Sequence, residues 1–157
     1  CDIGEGSGIV FYVSPEGFDV YDGKGGVMRC HYLEMSKTNL GESKWGNDID
    51  NTKSKLGYGK SNTYHMIKAK GYPSVKNCAA YRCAQYTTKT SKAGEWFLPN
   101  LEEAKLMIAT QSERLTAEST KKYWTSDQYY FLNREPSHRY HYSALSNYYS
   151  VRAVRAF

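Results

Sequence analysis

The side chains best suited to acid–base or nucleophilic chemistry are four histidines, accompanied by many serines and aspartates. The histidines are His31, His65, His138 and His141. A catalytic nucleophile needs a base and an orienting group held beside it, and no serine, cysteine or histidine here stands in a recognisable catalytic turn. The glycine-rich stretches GKGG (23–26) and GYG (57–59) match neither a phosphate loop nor a dinucleotide fingerprint and predict turns. The sequence therefore predicts a protein that is not an enzyme.

Metal binding has two candidate sites in the sequence. The segment Trp45–Asp50 (WGNDID) clusters oxygen-bearing side chains in a loop, as a calcium site requires. His138 and His141 could ligate a metal from a helix, but the surrounding tyrosines and serines favour a strand or loop. We interpret the first as a loop capped by its own Asn and Asp side chains, and the second as surface contact residues. No metal and no cofactor are therefore expected.

A stretch near the end of the chain has an unusual composition. Tyr, His, Asn, Ser and Asp fill 16 of the 25 positions of residues 126–150, against 7 of the 25 positions of residues 1–25. Each of these five amino acids can be written from an asparagine codon by changing only its adenines. Tyrosine supplies rigid contact area while serine and asparagine supply adaptable hydrogen bonds, as in antibody loops. The composition predicts a variable ligand-binding face, with a solvated β-surface as the alternative.

The residues expected to contact a protein ligand all come from this stretch, and aromatic anchors among them would supply most of the affinity. They are Asp127, Tyr129, Tyr130, Asn133, His138, Tyr140, His141, Tyr142, Ser146, Asn147, Tyr148 and Tyr149.

The elements that must position this face begin with two strands and two helices. Strands are predicted at Gly8–Val13, closed by a turn at Pro15–Gly17, and at Arg29–Met35. Ser61–Thr63 is expected to cap a helix that ends near residue 70, and Ser74 to cap a second helix over residues 75–86. Between the strands and helices, residues 36–60 are polar and predict a long surface excursion held by its tryptophan.

The second half of the chain combines one further helix with β-structure. Asn100 and Glu103 form a capping box for a helix whose buried stripe would be Leu101, Ala104, Met107 and Ile108. Strands are predicted at Glu95–Pro99, Tyr123–Ser126 and Val151–Phe157, the last two acting as framework around the variable stretch. With neither an internal repeat nor a linker, residues 1–157 are expected to form one α+β domain.

The charge and the cysteine content of the chain limit the classes of partner and metal site that are expected. Lys and Arg outnumber Asp and Glu by 21 to 16, but the basic residues are scattered, which argues against nucleic-acid binding. The spacing of Cys1, Cys30, Cys78 and Cys83 fits no common zinc site, and a disulfide from Cys30 or buried free thiols both remain open. A chain that starts with Cys1 and a polar residue is typical of a processed bacterial lipoprotein, anchored to a membrane by lipid on that cysteine.

Five segments resemble one family when they are taken in order. They are Gly8–Val13, Trp45–Gly46, Glu95–Glu103, Tyr123–Ser126 and Val151–Phe157. Together they resemble bacterial C-type-lectin-like domains of the formylglycine-generating-enzyme type over nearly the whole chain. The Tyr/Ser/Asn/His-rich tail resembles the variable region of the retroelement-diversified proteins within that group, in which a reverse transcriptase copies a template with adenine errors into the 3′ end of the gene.

The resemblance implies a C-type-lectin-like fold with paired N- and C-terminal strands, two or three helices and a β-rich variable C-terminal half. Ile9–Val13 would then lie beside Arg152–Phe157. It also implies a ligand-binding surface protein, lipid-anchored at the surface or outer membrane of a bacterium, or alternatively carried on a phage particle. The enzymes of the group use cysteines towards the C-terminus, and none follows Cys83 here, so their chemistry is disfavoured.

Two other interpretations remain open at this stage. The first is a calcium- or glycan-binding lectin-like domain with a pocket near Trp45, Asp48 and Asp50. The second is a structural surface-protein domain that is not diversified and has no specific ligand.

Overall fold

Helices and strands are mixed along the chain. The computed structural model describes residues 2–46, 52–69, 78–110, 122–127, 130–133, 140–142 and 147–157. Over these residues it contains two small sheets and three helices, α1 (Gly59–Lys68), α2 (Ala79–Gln85) and α3 (Leu101–Thr110). The predicted α+β class is confirmed. None of the helices within the described ranges has the length and apolar character needed to cross a membrane.

The first sheet contains β1 (Ile9–Tyr21), β2 (Val27–Met35) and β8 (Val154–Ala156) in the order β1-β2-β8. Both strand pairs are antiparallel, and β8 pairs with β2 from Leu33–Ala156 to Met35–Val154. The prediction that the N- and C-terminal strands pair directly is therefore wrong, because β2 lies between them. The short connection between β1 and β2 makes them a hairpin, and the last strand adds to the free edge of β2.

β1 runs through the turn predicted at Pro15–Gly17. Its register against β2 shifts between Val13, which pairs with Tyr32, and Phe18, which pairs with Cys30. The extra residues form an irregular bulge in which Gly17 adopts a φ of 79°. Backbone carbonyls of the bulge accept hydrogen bonds from β2, including one from the Arg29 guanidinium to Glu16 O at 2.8 Å. Cross-strand contacts thus hold the segment in the sheet, and the turn prediction is wrong.

The second sheet has five short strands. They are β3 (Glu42–Ser43), β7 (Tyr149–Ser150), β4 (Lys122–Trp124), β5 (Tyr130–Asn133) and β6 (Tyr140–Tyr142), in the order β3-β7-β4-β5-β6. All neighbours are antiparallel except β4 and β7, which are parallel. The strand predicted at Tyr123–Ser126 is confirmed in part.

The other two strands predicted in the second half of the chain are shorter than expected. Of the segment Val151–Phe157, only residues 154–156 are extended in a sheet. Of the segment Glu95–Pro99, only Phe97 is paired, through a single bridge to Val154 with two hydrogen bonds of 2.9 Å. Both segments are nevertheless buried for most of their length, so their apolar residues serve the core more than a sheet.

Helix α1 begins before the residues expected to cap it. Tyr58 is its N-cap, and Ser61, Asn62 and Thr63 are buried inside its first turns. The hydroxyl of Thr63 donates to Gly59 O at 2.8 Å and accepts a hydrogen bond from Leu98 N at 2.9 Å. These polar side chains therefore join the helix to other segments, and the cap prediction is wrong. The cap predicted at Ser74 lies outside the described residues.

The capping box of α3 is confirmed. Asn100 N donates to Glu103 Oε2 at 2.9 Å, and Glu103 N donates to Asn100 Oδ1 at 3.1 Å. The predicted stripe of this helix is buried, as expected: Leu101, Ala104, Met107 and Ile108.

Two buried clusters make up the core. One joins β1, β2 and β8 to α3, and the other surrounds Trp45, Trp96 and Trp124. Trp45 is fully buried and its indole N–H donates to Thr125 O at 2.7 Å, so it holds the polar excursion as predicted. The cysteines at 30, 78 and 83 are buried free thiols, which settles the alternative left open for them.

Candidate ligand-binding face

The strands β5 and β6, at one edge of the second sheet, bring four of the expected ligand-contact residues together. In the pairing of β5 with β6, Tyr130 lies opposite Tyr142, Phe131 opposite His141, and Leu132 opposite Tyr140. Strands in a sheet are about 4.8 Å apart, so the backbones of these residues lie side by side on neighbouring strands. Among the described residues, β6 is the last strand of the sheet on that side.

A second group lies on the other side of β4. Asn147 and Tyr148 are exposed, Tyr148 with 58% of its surface accessible, whereas Tyr149 is half-buried. The ring of Tyr149 packs on that of Trp124 with centroids 4.5 Å apart. Asn147 Nδ2 donates to the Tyr149 hydroxyl at 3.2 Å. Tyr149 therefore connects the exposed residues of this group to the core.

A single framework strand links the two groups. Tyr123 on β4 is paired with Ser150 of β7 on one side and with Leu132 of β5 on the other, and Asn133 is paired with Lys122. Tyr123 and Trp124 are both 1% exposed. The expected contact residues of β5, β6 and β7 are thus carried by one sheet whose central strand is anchored in the core.

Two lysines outside residues 126–150 contact the tyrosine of β7 and the tyrosine directly before this strand. Lys44 Nζ is 5.6 Å from the ring centroid of Tyr148, and Lys122 Nζ is 5.6 Å from that of Tyr149. Cations at this distance are attracted by the electron-rich face of an aromatic ring. They orient the rings and add positive charge beside them. The sequence analysis missed both lysines, because only the strand register shows that they lie next to the tyrosines.

Asp127 belongs to the scaffold, which corrects its assignment to the ligand-binding face. It is 5% exposed, and its carboxylate accepts a hydrogen bond from Leu101 N at the start of α3. Burial raises the pKa of Asp127 to about 6, although the hydrogen bond from Leu101 N acts to lower it. Ser126 and Ser150, which contributed to the biased composition, are buried too. Composition alone therefore overestimates the extent of the face.

The remaining expected contacts, Tyr129, His138 and Ser146, lie outside the described residues. So do Asp48 and Asp50 of the alternative calcium site. Within the part of the chain that is described, no three His, Cys, Asp or Glu side chains are grouped so that they could hold a metal ion.

No model of a known protein family matches this chain, and no curated protein matches it.

Proposed function

We propose that this protein is a ligand-binding, receptor- or adhesin-like variable protein of a diversity-generating retroelement, built on a C-type-lectin-like scaffold. One observation supports the proposal most: the residues with paratope-like chemistry lie on β5, β6 and the approach to β7, on both sides of the buried strand β4. A face carried by a fixed strand can change its contact residues while the strand keeps its packing.

Burial divides the end of the chain into two kinds of residue. Tyr148 is among the most exposed large side chains of the described residues, while Val151 and Ala153, a few positions later, are fully buried. Exposed aromatic side chains in a group generally mark an interaction site. Tyr148 thus contributes little to the core and is accessible to a partner.

The ligand proposed for this face is a protein. Tyrosine rings act as anchors that bury large contact areas, and a polar rim of asparagine, serine and histidine surrounds them. A face held on paired strands is ordered before binding, so less conformational entropy is lost on association. We propose that the protein is displayed at a bacterial surface or, alternatively, on a phage particle.

Sequencing of the gene and its neighbourhood in several isolates tests the diversification. We expect a nearby reverse transcriptase gene and a near-copy of the codons for residues 126–150 that differs only at adenines. Codons for residues 78–110, which encode α2 and α3, are the internal control and should show no adenine-specific differences. A uniform tail without a template copy would contradict diversification and would point to one constant partner.

A further inference from the structure

A groove that shares no residue with the ligand-binding face lies between the β1–β2 connection and α1. Its larger cavity, about 250 Å³, is lined by Lys24, Tyr64, Ile67 and Trp96 among others. An adjoining cavity of about 190 Å³ is lined by Val20, Val27 and Met28. Asp22 and Lys60 line both cavities. The groove therefore has a charged middle and apolar side chains in each cavity.

The positive charge in the middle of the groove is available to an anion. Lys60 is half-buried in the first turn of α1 and forms no salt bridge with any residue of the described ranges. The acidic residue of the groove, Asp22, is held ionised, because hydrogen bonds from Lys24 N at 2.7 Å and Gly26 N at 2.9 Å and the charges of Lys24 and Lys60 lower its pKa. It offsets one of the two lysine charges, so the groove keeps a net positive charge. A half-buried ammonium group is stabilised by a partner of opposite charge.

The larger cavity has a firm aromatic wall. The ring of Tyr64 contacts two cations, with Lys24 Nζ 5.3 Å and Lys68 Nζ 5.0 Å from its centroid. Gly23, at a φ of +81°, packs directly on this ring, since an added Cβ would lie 2.7 Å from Tyr64 Cδ1. Trp96 is 1% exposed and makes the deeper part of the wall. The cavity is therefore shaped before anything binds.

The smaller cavity opens beside two exposed apolar residues. Val27 and Met28, at the start of β2, are 57% and 49% exposed. Met28 is paired with Val20, which also lines this cavity, and an exposed apolar side chain beside a cavity is typical of a protein contact site. Neither belongs to residues 126–150, so the groove is separate from the candidate ligand-binding face.

We propose that the groove binds an acidic peptide segment of a partner protein, with a carboxylate at Lys60 and Lys24 and an apolar side chain in each cavity. Charge complementarity selects the acidic residue, because the groove holds two lysines, Lys24 and Lys60, against the single acid Asp22 and so has a net positive charge. The two cavities that meet at Lys60 select a peptide over a small anion, since only a chain places apolar groups on both sides of one charge. This proposal does not depend on the function proposed for the variable face.

NMR titration of the full chain with two capped tripeptides tests the proposal. The probes are acetyl-Leu-Asp-Phe-amide and its uncharged counterpart acetyl-Leu-Asn-Phe-amide. Their binding is measured from the chemical shifts of the tryptophan indole N–H signals. Trp96 lines the groove, whereas Trp124 packs on Tyr149 and serves as the internal control. We expect the Asp peptide to shift the Trp96 signal alone and to bind about fivefold more tightly than the Asn peptide, the upper end of the scale for a solvent-accessible ion pair.

Matched variants identify the residues responsible. Lys60→Ala should reduce the affinity for the Asp peptide to the affinity of the Asn peptide. The control is Lys37→Ala, which removes the same charge at an exposed position away from the groove and should leave the affinity unchanged. Met28→Ser should weaken both peptides. Equal affinities for the two peptides, a shift of Trp124 in place of Trp96, or no shift at all would overturn the proposal. Butyrate binding as tightly as the Asp peptide would also overturn it, showing a site for small anions.

Discussion

Trp124 and Tyr149 pack ring against ring, with centroids 4.5 Å apart and planes inclined by 54°. Trp124 is 1% exposed, and its indole N–H donates to Ser43 O at 2.8 Å, so it is fixed in the core. Tyr149 is half-buried and precedes the buried segment that enters β8. The contact is the boundary at which the framework of the protein meets its candidate ligand-binding face.

Two neighbouring tyrosines should therefore differ sharply in their effect on stability. Tyr148→Ser should change the free energy of unfolding by less than about 0.5 kcal/mol, as for other exposed positions. Tyr149→Ala should lower it by about 1–2 kcal/mol, because the packing on Trp124 is lost. Urea denaturation of both variants measures the difference. A large loss for Tyr148→Ser would show that this tyrosine serves the fold and not a ligand.

Glu103 should make the protein less stable as the pH rises. Burial raises its pKa from 4.5 to about 7, although N–H groups of Asn100, Gly59 and Gly57 act to lower it. Since the folded chain then binds more protons than the unfolded chain between these pH values, the free energy of unfolding falls as the pH rises from 4.5 to 7 and levels off above. Denaturation at a series of pH values measures this slope.

The variant Glu103→Gln isolates this contribution, because its side chain is uncharged at every pH. We expect most of the slope between pH 4.5 and 7 to disappear in it. Asp127, whose pKa is also raised, leaves a smaller slope of the same sign in the variant. An unchanged slope would mean that the three N–H donors outweigh burial and keep Glu103 ionised.

Asp127 should be needed for stability and not for ligand binding. Asp127→Ala removes the acceptor for Leu101 N at the start of α3 and should cost about 1–2 kcal/mol, the usual effect of losing a helix N-terminal cap. Thermal or urea denaturation measures it, with Glu16→Ala, an exposed acid, as the control for charge. A stability equal to that of the control would return Asp127 to the list of candidate contact residues.

Glu34 and Arg155 should be strongly coupled. The carboxylate of Glu34 is fully buried and accepts hydrogen bonds from Arg155 Nη1 at 2.9 Å, Gly6 N at 2.7 Å and Gly8 N at 2.7 Å. Glu34→Ala leaves a largely buried guanidinium without its closest partner and should cost about 3–5 kcal/mol. In a double-mutant cycle with Arg155→Met, the combined loss should be well below the sum of the single losses. Additive losses would contradict the coupling.

Features that depend on neighbours in sequence were predictable. The Asn100–Glu103 box and the buried stripe that follows it involve residues three or four positions apart, and a helix places such residues together whatever the rest of the chain does. The strands at β1 and β2 follow in the same way from their apolar, β-branched composition. Local rules were enough for these elements.

Features that depend on residues distant in the sequence could not be predicted. Asn62 resembles a helix cap in sequence, but its amide group exchanges hydrogen bonds with the Lys53 backbone at 2.8 and 2.9 Å and donates to Ser126 Oγ at 3.1 Å. Asp127 resembles a variable contact residue, yet its partner at position 101 is 26 residues away. The order of strands around β2 and the place of Lys44 beside Tyr148 likewise follow only from long-range pairing.

The last described residues of the chain contribute one strand to each sheet. Tyr149–Ser150 belongs to the second sheet, Val154–Ala156 to the first, and the segment between them is buried. A chain cut short by a stop codon or frameshift within residues 126–150 therefore lacks β8 and Arg155, and leaves the Glu34 carboxylate buried without its cation. Under the proposed diversification, faulty copies of the tail would fail to fold and be removed by proteolysis, so that only intact reading frames yield a stable protein.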